Sequence, residues 1–168
     1  ALMRSAYSTN IKERRDHSTA ICDLGGRLVV QAENSLPIHL ASMTGLMASL
    51  LAKYDLADIE EGDLFVANDP HVAGGTHLPD INLAMPVFVD DKLSAFVCNI
   101  AHHADVGGMA PGSMAGGMSE IYQEGLRIPV VKLFRRGELQ EDLFEILLLN
   151  VRIPEERRGD YYAQIAAC

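Results

Sequence analysis

INLAMPVFV (81–89), DDK (90–92) and LSAFVCNIA (93–101) form the stretch on which the fold turns. Two runs rich in β-branched and aromatic side chains flank a short polar turn, the pattern of an antiparallel hairpin. Pro86 cannot donate to a ladder, so it predicts an edge or a bulge in the first run. Upstream, Glu61-Gly62-Asp63 turns the chain into a short strand, LFVA (64–67). Residues 40–54 (LASMTGLMASLLAKY) repeat apolar side chains at helical spacing and predict an amphipathic helix. Before it, HSTAICDL (17–24) and RLVVQA (27–32) flank Gly25-Gly26, a two-residue turn signal, and predict another hairpin. Downstream, residues 105–118 (DVGGMAPGSMAGGM) carry five glycines without periodicity and predict an irregular loop. IPVVKLF (128–134) is a further strand, ended by Arg136-Gly137. Leu139 to Ala167 predict two helices parted near Arg152-Ile153-Pro154, the proline suiting a helix first turn. The expectation is an α+β domain spanning 1–168, its mixed sheet built from hairpins with flanking and C-terminal helices.

Composition narrows the function. At 168 residues and 48% apolar, the chain suffices for one globular core. A net charge of −9, with basic residues clustered no further than the pairs Arg14-Arg15, Arg135-Arg136 and Arg157-Arg158, gives no face to neutralise phosphates and argues against nucleic acid. Purely apolar runs such as Ile146–Leu149 are far too short to span a membrane. Cys22, Cys98 and Cys168 lack CxxC spacing and cannot all pair with one another, which points to a reducing compartment, with Cys22 and Cys98 as small buried hydrophobes. The expectation is a soluble, cytoplasmic protein. The chain opens without methionine, and both ends read as helical sequence, so a fragment of a longer chain is expected.

Three segments are rich in metal-type or catalytic residues, each in a loop or beside a strand: NDPHVAGGTHLPD (68–80), AHHADVGG (101–108) and ERRDHS (13–18). His77 and Asp80 are three apart with Pro79 between, which opposes a helix interior and favours a tight turn aiming both side chains at one ion. Gly74 and Gly75 allow unusual backbone angles just before. Imidazole with carboxylate suits zinc, manganese or iron(II), and such an ion lowers the pKa of a bound water from 15.7 toward about 7. The plainer readings stand beside this one. His-x-x-Asp is common, a His-His pair at a strand end is often one core and one solvated histidine, and Asp69 before Pro70 is often a turn residue. Ser113 lacks the GxSxG elbow, and neither GxxxxGK[ST] nor a strand-coupled GxGxxG is present, so this chain is not expected to bind ATP itself. Met109, Met114 and Met118 read as flexible loop packing rather than a soft-metal surface.

The runs GDLFVANDPHVAGGTHLPDINLAMPVF, NIAHHADVGGMAPGSM and QEGLRIPVVKL, in that order, resemble the hydantoinase B family; NIKERRDHSTAICDLGGRLVVQ and LPIHLASM resemble its N-terminal pattern. That family includes the B subunits of ATP-dependent N-methylhydantoinases, the matching region of 5-oxoprolinase and the large subunits of acetone-type carboxylases. Its members are several times longer, so this chain resembles an N-terminal third or less. The resemblance implies a hetero-oligomer in which an A-type subunit binds ATP with magnesium and phosphorylates a small carbonyl substrate, while the B-type subunit carries a divalent metal (zinc, manganese or iron) that receives the intermediate. It implies His77, Asp80 and His102 as ligands, Asp16 as a fourth, and His103 and Asp105 as catalytic helpers that orient ligands or move protons. His39 and Asp69 would also face the pocket, and the GGMAPGSM loop would meet substrate or phosphate. His17 departs from a family position that is aromatic or otherwise apolar. The implied activity is hydrolysis of a phosphorylated cyclic amide (a hydantoin, 5-oxoproline or a lactam) by metal-activated water. The alternatives are a ketone carboxylase subunit and, from another class, a non-catalytic assembly domain with a structural metal.

Overall fold

A computed structural model describes residues 2–168. Two single-turn helices, α1 (Leu2–Ser5) and α2 (Thr9–Lys12), lead into a hairpin, β1 (His17–Cys22) and β2 (Leu28–Gln31). Helix α3 (Pro37–Lys53) follows, then β3 (Leu64–Ala67) and the long hairpin β4 (Asp80–Val89) and β5 (Lys92–His102). A short hairpin, β6 (Val131–Arg135) and β7 (Glu138–Leu139), precedes α4 (Glu141–Leu149) and α5 (Pro154–Ile165). The strands form one sheet in the order β2-β1-β5-β4-β3-β6-β7. The α+β class and the hairpin construction are as expected, and every pairing in the sheet is antiparallel. The reason is that α3 carries the chain from β2 past β1, β5 and β4 to β3, so the two strands it joins are not neighbours. No helix among the described residues is long and apolar enough to cross a membrane.

Met43, Leu46, Met47 and Leu50 recur along α3 at i, i+3, i+4 and i+7 and are fully buried. They pack on Cys22, Phe65, Ala84, Phe96 and Cys98 from one face of the sheet. Burying a side chain of this size contributes roughly 1.5–3 kcal/mol, so this row is what fixes the crossover helix to the strands. On the other face Leu64, Val66, Ile81 and Leu83 meet Phe144, Leu147, Leu148 and Tyr161 of α4 and α5. Strand alternation therefore sends Asn82 and Ala84 toward α3, and Ile81 and Leu83 toward α5. The N-terminal turns add Leu2, Ala6 and Ile11 against Ala101 and Ala163.

Several boundaries differ from the sequence reading, each for a local reason. Helix α3 starts three residues earlier than Leu40, because Pro37 sits at its first turn, where a preset φ helps and a missing N–H costs nothing. β4 is an interior strand, yet β3 pairs only with Asn82–Ala84, so Pro86 faces no partner on that side, and a register shift follows between Val87 and Phe88. The β1–β2 connection is longer than the two-residue signal: Asp23 Oδ1 accepts the amides of Gly25 and Arg27, both at 2.9 Å, making an Asx-type turn. Arg136 and Gly137 both hold positive φ, 52° and 82°, and close the β6–β7 hairpin, so residues 138–139 are strand and α4 begins at Glu141. Residues 105–118 form an irregular loop, as the glycines require. All three cysteines are free, with Cys22 and Cys98 buried.

Candidate metal centre

Asp80 opens β4 and His102 closes β5, and the two are register partners. On the other side of His102, its amide donates to the Asp16 carbonyl at 3.0 Å just before β1. Asp16, His102 and Asp80 thus stand in one row across three neighbouring strands. Asp80 shares its face with Ala84, and His102 with Ile100 and Cys98, so the row looks toward α3. His77 arrives from the preceding loop, where a turn is closed by Asp80 N–H to His77 C=O at 3.4 Å and by His103 N–H to Pro79 C=O at 2.8 Å. This is the tight turn predicted from Pro79. His39 enters from the first turn of α3.

The donor atoms converge. His102 Nδ1 lies 3.3 Å from Asp80 Oδ1, and His77 Nδ1 lies 3.7 Å from Asp80 Oδ2. His39 Nε2 lies 3.4 Å from Asp16 Oδ1 and 4.0 Å from Asp80 Oδ1, while Asp16 Oδ2 is 3.9 Å from His102 Nδ1. One donor each from His77, Asp80 and His102 fall within 4.8 Å of one another. Ligands on a tetrahedral cation with bonds of about 2.1 Å are roughly 3.4 Å apart, so this spacing suits one ion. Burial supplies the second test: Asp80 Oδ1 and His77 Nδ1 are shut from solvent and have no hydrogen-bond partner. An unsatisfied buried carboxylate oxygen is costly, and a cation among these residues removes that cost. The set fits a divalent ion, and two carboxylates balance its charge. Burial lowers the pKa of His39, with Asp80 and Asp16 pulling it back up, which favours the neutral ring. The side chains of Asp80 and His39 are each 3% exposed, against 28% for His77 and 34% for Asp16, so the approach from solvent is on the His77–Asp16 side.

The loop that carries His77 is fixed by backbone contact. Gly45 in α3 lies so close to Gly74 that a Cβ at residue 45 would meet the Gly74 Cα at 2.6 Å. Gly74 itself holds φ +72°, a region that side chains disfavour. Asn68 anchors the same loop, donating to the Leu78 and Leu126 carbonyls at 2.9 Å each and accepting the Ile128 amide at 2.6 Å. Asp69 is a turn residue outside the cluster: it accepts the His71 amide at 2.8 Å and pairs with Arg127.

His77, Asp80 and His102 are brought together within 4.8 Å of one another; Asp16 stands at their edge, 3.9 Å from His102 and 3.4 Å from His39 but outside that group. His103 and Asp105 are engaged elsewhere. His103 Nε2 lies 2.7 Å from Gln164 Oε1 and its ring is 4.7 Å from that of Tyr161, on the α5 side. Burial pushes its pKa down to about 4, against the pull of Asp160 and Gln164. Asp105 accepts the amides of Gly107, Gly112 and Arg152 at 2.8–3.0 Å and the Arg152 guanidinium at 3.0 Å. Burial alone would raise its pKa, but these four donors outweigh it and hold the carboxyl below its ordinary value. Among the described residues neither side chain makes a hydrogen bond to the cluster; their side chains tie α5 and the glycine loop to the sheet, and of the two only the His103 amide, through Pro79 C=O, braces the ligand turn. Ser113 belongs to the same lock, its hydroxyl accepting the Val106 amide and donating to Gly107 C=O, both at 2.8 Å. Sequence reasoning passed over Ser18, which bonds His39, and the Gly45–Gly74 contact; the single glycine inside an otherwise apolar helix was the available signal.

Two concavities border this region. One of 730 Å³, lined by Arg15, His17, Ile21 and Val30, opens on the other face of β1 and holds none of the cluster residues. His17 lines it, with its side chain on the face of β1 away from the cluster. The other, 510 Å³, is bordered by His71, Gly75, Thr76, Ser119 and Glu124 and ends one residue from His77. Neither concavity is lined by a cluster residue; the second comes nearest in sequence to His77, through Thr76, and the first to Asp16, through Arg15 and His17.

The sequence model of the hydantoinase B/oxoprolinase family matches residues 1–168. The chain is 45% identical over 168 residues to an uncharacterized protein of Methanocaldococcus jannaschii, covering 99% of this chain and 30% of that one. It is 40% identical over 178 residues to 5-oxoprolinase 1 of Arabidopsis thaliana, covering 99% of this chain and 14% of the relative. It therefore spans less than a third of either. The crystal structure of ATP-dependent caprolactamase from Pseudomonas jessenii superposes with a TM-score of 0.83 at 36% identity, over 91% of this chain and 26% of that one. The nucleotide-free acetone carboxylase structure gives 0.86 at 22% identity, over 99% and 22%, and shares the fold.

Proposed function

The chain belongs to the hydantoinase B/oxoprolinase family, and from that premise we propose that His77, Asp80, His102 and Asp16 form the divalent-metal centre of an ATP-dependent amidohydrolase acting on a small cyclic amide: a hydantoin, 5-oxoproline or a lactam. The observation that carries the proposal is the buried Asp80 Oδ1, which has no hydrogen-bond partner and stands 3.3 Å from His102 Nδ1. Bound there, zinc, manganese or iron would supply a Lewis acid for a carbonyl and a water acidified toward neutrality. The protein's own part is to hold the donors. Asp80 and His102 are fixed by sheet register, and His77 by the Gly45–Gly74 contact. The more exposed side chains, Asp16 and His77, mark the side on which a substrate would approach.

ATP with magnesium is assigned to an A-type partner subunit or region, in keeping with the ATP-dependent caprolactamase the chain resembles. That partner would phosphorylate the substrate carbonyl and pass the activated compound to this centre in a hetero-oligomer. His103 and Asp105 serve the site by fixing the loop and helix around it. The free thiols suit a cytoplasmic setting. The 36% identity with an ATP-dependent caprolactamase favours hydrolysis over carboxylation. The test is turnover by the assembled complex with ATP: release of the ring-opened acid from hydantoin, 5-oxoproline or caprolactam, abolished by chelation and restored by metal. Product formation that requires bicarbonate would point to a carboxylase instead, and no turnover of any cyclic amide by metal-loaded complex would sink the proposal.

A further inference from the structure

The Asp16 carboxylate is the least supported member of the cluster. It lies just outside β1, follows Arg15 at φ +58°, and its side chain is 34% exposed. The groups within reach of it are imidazoles, His39 Nε2 at 3.4 Å and His102 Nδ1 at 3.9 Å. His39 is held firmly where Asp16 is not. It is 2% exposed in the first turn of α3, and its Nδ1 lies 3.0 Å from Ser18 Oγ. Ser18 is in turn fixed, because its Oγ accepts the amide of Leu36, the residue that caps α3, at 2.8 Å. An Oγ that accepts from Leu36 still has its own proton to give. Donated to Nδ1, it leaves the hydrogen of the ring on Nε2, pointed at the carboxylates.

We propose that His39 is a positioning residue that turns Asp16 into the metal centre, with Ser18 setting its tautomer. The chain is Leu36 N–H to Ser18 Oγ, Ser18 O–H to His39 Nδ1, and His39 Nε2–H toward Asp16. Through it the start of α3 is coupled to the start of β1, so the fourth donor stands ready before an ion enters. His39 acts on Asp16 more than on Asp80, which is farther from Nε2 at 4.0 Å and is already held by strand register. Without the His39 N–H, Asp16 swings toward solvent, and the centre keeps three donors and binds more weakly. The inference rests on the metal reading given above.

The experiment is a double-mutant cycle on zinc affinity, measured by chelator competition, with circular dichroism and thermal melting to verify folding. His39→Ala is expected to weaken zinc binding about 10-fold, the scale of lost outer-shell support, with one zinc per chain retained. In an Asp16→Ala background the same change is expected to have no further effect, and His39→Gln, which keeps an N–H near Nε2, is expected to recover most of the loss. Ser18→Ala, a milder change, is expected to weaken binding in the same direction, and cobalt-loaded His39→Gln to keep the wild-type visible spectrum. A His39→Ala loss that persists undiminished in the Asp16→Ala background would overturn the proposal, since His39 would then act independently of Asp16. So would an unchanged affinity in folded His39→Ala. Wild-type protein that binds none of zinc, manganese or iron(II) would remove the metal reading and this inference together, whereas a failed cycle in a protein that binds zinc removes the inference alone.

Discussion

Replacing Gly45 with alanine sets two physical effects against each other. In a helix interior, glycine to alanine ordinarily stabilises by about 1 kcal/mol through backbone entropy. At this position the new methyl would stand 2.6 Å from the Gly74 Cα, with the Gly74 amide nitrogen at 3.4 Å and the Ala73 carbonyl at 3.6 Å. Carbon atoms in good contact sit about 3.5–4.0 Å apart, so helix and loop must separate by about 1 Å, and backbone cannot step aside as a flexible side chain does. Overpacking of this kind costs about 1–3 kcal/mol. The net expectation for Gly45→Ala is a loss of about 1 kcal/mol where propensity alone predicts an equal gain. The second consequence is functional. Gly74 lies three residues before His77, so a displaced loop pulls the imidazole from Asp80, and metal affinity should fall about 10-fold. Urea unfolding and chelator competition measure the two. Gly45→Ala that is stabilised by about 1 kcal/mol with unchanged affinity would refute the idea that this contact seats the ligand loop.

The buried His103 should make stability depend on acid. Its pKa is lowered to about 4 in the folded protein from 6.5 in the unfolded chain, so between those values only the unfolded state takes the proton. Its contribution is complete above pH 6.5 and is lost as pH falls toward 4, by about 2 kcal/mol between pH 7 and 5. The part of that slope belonging to this residue should vanish in His103→Gln, read from denaturation midpoints; an unchanged slope would contradict its burial as a neutral ring. Asp105→Ala leaves the amides of Gly107, Gly112 and Arg152 without their acceptor and should cost about 2–3 kcal/mol. Metal stoichiometry should stay at that of the wild type, and metal lost from a still-folded variant would return Asp105 to the centre.

Much of the fold was legible because its signals are local. The β4–β5 hairpin announces itself by two apolar runs around Asp90-Asp91, and α3 by the spacing of Met43, Leu46, Met47 and Leu50. What could not be read is what depends on register and on crossing distance. No local pattern says that Asp80 pairs with His102, or that the first turn of α3 sets His39 beside Asp16. His77 and Asp80 were recognisable as a pair through the intervening Pro79 and their resemblance to a family motif. His103 and Asp105 show the limit of adjacency. His103 is next to a proposed ligand in sequence, but it leaves the strand on the opposite side and meets Gln164 and Tyr161. Asp69 likewise sits in a motif rich in ligand types and serves a turn.

The most direct test is the metal content of the purified protein after incubation with zinc, manganese or iron(II), wild type beside His77→Ala. His77 is the more exposed of the two ligand histidines, so its removal leaves the core intact. One metal ion per wild-type chain, lost in His77→Ala, is the predicted result. No bound metal in the wild type, or metal retained in full by the variant, would contradict a centre built on His77, Asp80 and His102.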